Sequence, residues 1–228
     1  MKHSGKASRA ARQLIPWTWH PLVFFLLIVS LAKFPTSLTL ALFELALGIW
    51  ILCAGFILYF FRDPNPSVPH DAKAIVSPAH GKVDLIDETS EPEFMGGHCR
   101  RVSIFLSVID VHVQKAPVAA KISYLKHNAG QFLSALKTES ATLNENVLIG
   151  FESGEMPGEK IGVRLIAGVL ARRIVPWIAL HDVVERGERT SLIQFGSRCD
   201  LYLPLNAKIQ VKLGDHVTGG ETVIALRS

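Results

Sequence analysis

The chain has 228 residues, 49% of them hydrophobic, and a mean hydropathy of +0.28, too apolar for an ordinary soluble domain of this length. Such a composition excludes a disordered or low-complexity chain. The net charge of +4 resides in the N-terminal segment, where Lys2, Lys6, Arg9, Arg12 and Lys33 precede the first acid, Glu44. The rest of the chain nets −1, which excludes a basic nucleic-acid-binding domain and points to a membrane-surface tail.

Residues 15–32 (IPWTWHPLVFFLLIVSLA) and 38–61 (LTLALFELALGIWILCAGFILYFF) are two apolar runs joined by KFPTS. A helix of about 20 residues crosses the hydrocarbon core, so the pair predicts a transmembrane helical hairpin. Cations before the first run and Arg62 after the second place both flanks in the cytoplasm. Trp17, Trp19 and Tyr59 suit the interfacial belts. A cleaved signal peptide would explain the first run but not the second, longer one. Glu44 is tolerable near an interface or against a partner helix.

FRDPNPSVPHD, with three prolines, marks a boundary, giving segments 1–61 and 62–228. Beyond it come short, β-branched or alternating runs: 74–77, 82–87, 100–108, 121–127, 146–153, 160–168, 191–196, 199–204, 207–213 and 221–227. Two stretches read as short helices, GQFLSALK (130–137) and VLARRIVPW (169–177). The pattern predicts a mainly β (α+β) domain, an antiparallel sandwich or barrel. VSPAHGKVD and LGDHVTGGETVIA read as strand–turn–strand units resembling lipoyl-type hairpins, without a lysine placed for biotinylation. Cys53, Cys99 and Cys199 are sparse and odd in number, so neither a disulfide framework nor a metal site is expected.

IQFGSRCDLYLP sets Gly196-Ser197-Arg198 between two strand-like runs. By composition this is a turn, and it is not the GxSxG nucleophile elbow. A serine after glycine has one special chemistry. Its Oγ can attack the unhindered glycine carbonyl in an N→O acyl shift. β-Elimination then splits the chain, and loss of ammonia leaves an N-terminal pyruvoyl group.

FFRDP (60–64), SPAHGKV (77–83), SVIDVHVQKAP (107–117), FLSA (132–135), NEN (144–146), ARRIVPW (171–177), FGSRCDLYLP (195–204) and GDHVTGGETVIA (214–225) occur in that order. Together they resemble the short, membrane-anchored form of phosphatidylserine decarboxylase, from about Tyr59 to the C-terminus. The resemblance implies self-cleavage at Gly196–Ser197, giving a β chain of residues 1–196 and an α chain of residues 197–228 that stay associated. It implies a pyruvoyl cofactor made from Ser197, which forms a Schiff base with the amine of phosphatidylserine and draws electrons as CO2 leaves, yielding phosphatidylethanolamine. It also implies a location at the cytoplasmic membrane with the catalytic domain on the cytoplasmic side, and a homodimer.

His112 in DVHV matches the family histidine near the pyruvoyl group, a candidate proton donor. Lys115 stands where longer members carry a second histidine. His80 departs from the family pattern SPADG, whose acid orients the base that activates the serine. His80 could itself be the base, with Asp84 or Asp110 orienting it. Cleavage could instead be slow, or the chain could stay an uncleaved precursor, trapped there even by design. Arg172 and Arg173 are candidates for the lipid phosphate, because guanidinium pairs well with phosphate. Phe60, Phe61 and Phe132 are candidates for an acyl-chain groove or for core packing. Two other readings remain open: a non-enzymatic, membrane-tethered β-barrel module, and a decarboxylase of another serine phospholipid.

Overall fold

The computed structural model describes residues 2–31, 35–130, 144–168, 173–194 and 197–227. The chain divides into two compact units, Gly5–Asp63 and Pro64–Ser228, the latter taking in Met1–Ser4.

The first unit is helical. Helix α1 (Lys6–Leu14) passes through a 3-10 turn (Ile15–Thr18), where Pro16 suits the first turn, into α2 (Trp19–Leu31). Helix α3 spans Thr36–Phe60 and begins directly after Pro35. The two spans, Lys6–Leu31 with 26 residues and Thr36–Phe60 with 25, are long and apolar enough to cross a membrane. Many of their leucines and isoleucines point outward: Leu27, Ile28, Leu45, Ile51 and Leu52 are all at least half exposed. The helices meet through polar and aromatic groups. Trp50 Nε1 donates to Thr18 Oγ1 at 2.9 Å, and the Trp19 and Trp50 rings lie 4.4 Å apart. At the far end of α3 the Arg62 guanidinium sits 3.9 Å over the Tyr59 ring.

The second unit is an antiparallel β sandwich. Its strands are β1 (Ala74–Val76), β2 (Gly81–Glu91), β3 (Gly97–Leu106), β4 (Val113–Lys115), β5 (Ala120–Asn128), β6 (Asn146–Ser153) and β7 (Lys160–Ala167). They continue with β8 (Arg173–Pro176), β9 (Val183–Val184), β10 (Arg189–Gln194), β11 (Ser197–Leu203), β12 (Lys208–Ile209), β13 (His216–Val217) and β14 (Val223–Leu226). One sheet of eight runs β13-β2-β3-β11-β7-β6-β5-β9, and two small sheets run β4-β10-β8 and β1-β14-β12. Period-two alternation decides which residues enter the core. Ile104, Leu106, Leu165, Val147, Ile149, Cys199 and Leu201 from the large sheet pack with Ile174 and Ile193 of one small sheet and Ile75 and Ile224 of the other. The opposite face of the large sheet carries a smaller cluster of Phe94, Cys99, Leu148 and Tyr202. Strand β11 is covered on both faces, so all seven of its residues are buried.

Two expectations need correction. The part of VLARRIVPW that is described, Arg173–Pro176, is a strand and not a helix. Its β-branched Ile174 and Val175 pair with Ile193 and Leu192, and Pro176 is tolerated because β8 is an edge of its sheet. The other helix candidate, 130–137, lies outside the described residues apart from Gly130. The run 207–213 forms a strand only at Lys208–Ile209, because the Asp215 carboxylate accepts the Lys212 N–H at 3.0 Å and closes a turn there. The two strand–turn–strand units pair with each other: His216 opposes Lys82, Ser77 donates to Thr222 O at 2.8 Å, and Gly220 donates to Ser77 O at 2.8 Å.

Candidate active site

The antiparallel register brings five strand ends to one edge of the large sheet. Strand β2 starts there at Gly81, β3 ends at Leu106, β11 starts at Ser197, β7 ends at Ala167 and β6 starts at Asn146. Ser197 stands directly between Leu106 and Ala167. It alternates with Arg198 and shares its face with Cys199 and Leu201, so its side chain enters the apolar core. Ser197 is fully buried, and its Oγ has no hydrogen-bond partner among the described residues. A buried hydroxyl left unpaired costs free energy, which makes it a marked atom in a native protein.

His112 reaches this place from the loop after β3. Asp110 fastens that loop: its Oδ2 accepts from Ser107 N at 2.8 Å and from Ser107 Oγ at 2.7 Å. The buried His112 ring has its Nδ1 2.9 Å from the Asp110 carbonyl. A carbonyl can only accept, so Nδ1 carries the proton and the neutral ring keeps its lone pair on Nε2. The His112 carbonyl accepts the Ile193 N–H at 3.1 Å. Strand β10 therefore runs beside His112 just before the chain passes through residues 195 and 196 to Ser197. Gly196 itself lies outside the described residues, as does Arg172. Arg173 is exposed and opposes Gln194 on the other side of β10, three residues before Ser197.

His80 ends the SPAHG turn, one residue before β2. Gly81 has φ +149°, and a Cβ there would run into the Phe105 carbonyl, so glycine is required where β2 meets β3. Phe105 is also the residue opposite Arg198, which sets His80 two strands from Ser197 along the same edge. Pro78 O accepts the Lys115 N–H at 2.8 Å, tying the turn to β4 and hence to the DVHV loop. His80 Nδ1 accepts the Gly219 N–H at 2.7 Å. That contact requires an unprotonated Nδ1, so the neutral ring carries its proton on Nε2 and presents a donor there. Neither acid named from the sequence orients it. The Asp84 carboxylate binds Arg198 Nη2 at 2.7 Å, and that of Asp110 caps Ser107. Burial pushes the Asp84 carboxyl upward, partly offset by Arg198.

The residues on the β7 side carry no role assigned from the sequence. Asn144 is buried, and its Nδ2 donates to Ala167 O at 2.7 Å, directly beside Ser197. Glu145 O accepts the Ala167 N–H at 2.9 Å, and the Glu145 carboxylate lies 3.1 Å from His127 Nε2. NEN was visible as part of a motif. His127, 18 residues earlier, had no spacing signal, because only the pairing of β5 with β6 brings it there.

A family model for phosphatidylserine decarboxylase matches residues 53–225. A phosphatidylserine decarboxylase proenzyme of Desulfotalea psychrophila is 42% identical over 181 residues, covering 79% of this chain and 84% of that protein. A proenzyme of the same name from Symbiobacterium thermophilum is 42% identical over 171 residues, covering 75% of this chain and 79% of its own. A third, from Zymomonas mobilis, is 37% identical and covers 98% of this chain and 94% of its own length.

Proposed function

The chain belongs to the phosphatidylserine decarboxylase family, and on that premise we propose that it cleaves itself at Gly196–Ser197 and then decarboxylates phosphatidylserine at a pyruvoyl group derived from Ser197. The observation that carries this reading is the buried, unpartnered Ser197 Oγ at the head of a central strand. The site suits such a group: the small Ala167 flanks Ser197, and no hydrogen bond holds the hydroxyl back from the carbonyl before it.

In the cleavage, Ser197 Oγ adds to the Gly196 carbonyl carbon and gives up its proton. His112 Nε2 is the acceptor in this reading, since its Nδ1–H is already given to Asp110 O. His80, whose Nδ1 takes the Gly219 N–H, is assigned in this reading as a donor to the developing oxyanion, a role different from the base role its sequence position suggests. The C–N bond breaks to leave an ester. Loss of the Ser197 Cα proton and of the Gly196 carboxylate opens the chain, and water replaces ammonia to give the ketone. The pyruvoyl group then supplies an electron sink for the departing carboxylate. His112 holds the proton that Cα takes up, and Arg173 (with Arg172) binds the phosphate. Once cut, residues 197–228 stay with residues 1–196, because β11 is bonded on both sides and β14 lies between β1 and β12. The two helices hold the site at the cytoplasmic face of the cell membrane, with both helix ends inside.

The test is an intact-mass measurement on the freshly made full chain in detergent, with labelled phosphatidylserine in mixed micelles. Two fragments, the smaller with a blocked N-terminus, and release of labelled CO2 are expected. A single intact chain without turnover would leave the fold and remove the activity.

A further inference from the structure

Decarboxylation consumes one proton per turnover. The bond from Cα to the carboxylate breaks, CO2 departs, and the electron pair left on Cα takes a proton in its place. Ser197 and His112 are both fully buried, so that proton has to cross from solvent into a closed site on every cycle. Resting on the decarboxylase reading above, we propose that His127 and Glu145 form the proton inlet of the site, refilling it from solvent after each turnover.

The geometry joins the outside to the inside in one step. The His127 side chain is 56% exposed and that of Glu145 only 12%, with Nε2 and Oε1 3.1 Å apart. Register places Glu145 in the same row of the sheet as Ser197. Ser197 opposes Ala167, and Ala167 N–H bonds Glu145 O. Val147 and Ile149 of β6 belong to the same core as Cys199 and Leu201, so alternation puts Glu145 and Ser197 on one face. Two strand spacings separate their backbones, roughly 10 Å. The residue between them is alanine, the smallest side chain that row could carry there, so no bulky group stands between the two. The carboxylate is further held by the Ile174 N–H at 3.4 Å, and the residue before Ile174 is Arg173. Imidazole and carboxylate can each take and pass a proton, and histidine does so near neutral pH. In the cycle, water gives a proton to His127, His127 gives one to Glu145, and Glu145 returns one to the inner site, so both groups end as they began. A pair serving only to pin β5 to β6 at such a half-exposed position would contribute little to stability and would leave chemistry untouched.

His127→Ala in the full chain should cut kcat at least tenfold with KM unchanged, while intact mass still shows complete cleavage. Imidazole in the buffer should restore most of the rate, because the vacated site is open to solvent. Glu145→Gln should lose as much and gain nothing from imidazole. A readout independent of turnover uses the Ser197→Ala chain, which forms no pyruvoyl group. There, carbethoxylation of His127, located by mass spectrometry, should quicken several-fold on Glu145→Gln, because the carboxylate no longer occupies Nε2. Wild-type turnover in His127→Ala, or a loss that imidazole does not repair, overturns the inlet. An uncleaved, inactive wild-type chain would instead overturn the decarboxylase reading itself.

Discussion

The two faces of β11 carry different kinds of polar group. On one face Ser197 stands at the end of an apolar row of Cys199, Leu201 and Leu203, and its hydroxyl is left without a partner. On the other, Arg198, Asp200 and Tyr202 are nearly as buried but sit among charges. Arg198 binds Asp84 at 2.7 Å and lies 3.5 Å from Asp200, Arg101 grips Asp87 through two nitrogens, and Arg164 binds Glu91 at 3.2 Å. A polar group out of water must be paired or it costs free energy. The ion pairs of the charged face hold the strand in place, even though Asp200 Oδ1 and Ser103 Oγ also lack a hydrogen bond among the described residues, whereas the Ser197 hydroxyl stands in an apolar row without such support. On the proposed reading, the same strand would keep its register while the bond at its head is cut.

Ser197→Ala is expected to give the largest effect. It removes the attacking oxygen, so neither cleavage nor decarboxylation should be detectable by mass and labelled-lipid assay. Folding should be intact, because the hydroxyl makes no hydrogen bond to lose. A cleaved alanine variant would end the claim that this face is the reactive one. His112→Ala comes next. In chain already processed, loss of the proton-holding imidazole should slow turnover by about 10²–10⁴-fold. Wild-type turnover would return His112 to a purely structural role. His80→Ala should slow the appearance of the two fragments by about 10²–10³-fold, the usual effect of one lost oxyanion donor. Unchanged cleavage kinetics would mean that the ring only fastens the Gly219 turn.

The opposite face predicts the reverse pattern, loss of stability without loss of chemistry. Arg198→Met leaves Asp84 and the buried Asp200 without their shared cation. Breaking a buried pair on one side costs about 3–5 kcal/mol. Denaturation of the full chain in detergent, in the Ser197→Ala background so that one chain is compared with one chain, measures it. A loss below 1 kcal/mol would make the two faces equivalent in kind.

Much of this fold was legible in the sequence because its strands alternate or are rich in β-branched residues. NVLIGFES at 146–153 coincides with β6, and the second apolar run, 38–61, differs from α3 by two residues at one end and one at the other. The very short β4 and β9 went unread, since two or three residues carry no periodicity, and they are defined only by their partners. Strand β8 was read as helix because Arg172 and Arg173 amid apolar residues mimic an amphipathic turn. For the site, Ser197, His112 and His80 were legible as motifs, and the structure brings them to one edge. Glu145 and His127 were not, because their meeting depends on sheet register.

The smallest effect concerns Asp200, the least well paired group on the stabilising face. It is 1% exposed, and its Oδ1 has no hydrogen-bond partner. Burial pushes its carboxyl above the ordinary 3.8, although the Ser103 hydroxyl and then Arg198, Arg101 and Arg164 pull the other way. A carboxyl raised in the folded state binds its proton more tightly there than in the unfolded chain. Its contribution to stability is therefore fully present below pH 3.8 and is lost as pH rises through the folded value. Asp200→Asn removes that dependence. The difference in stability between the parent and Asp200→Asn, both carrying Ser197→Ala, should then shift in favour of Asn as pH rises from 3.8. Taking the difference cancels groups common to both chains, such as Glu93, which Lys126 and Tyr124 hold low and which acts in the opposite sense. A difference that stays level, or that turns toward the parent with rising pH, would show that the arginines more than compensate the burial of Asp200. Both faces of β11 would then be free of polar strain except at Ser197.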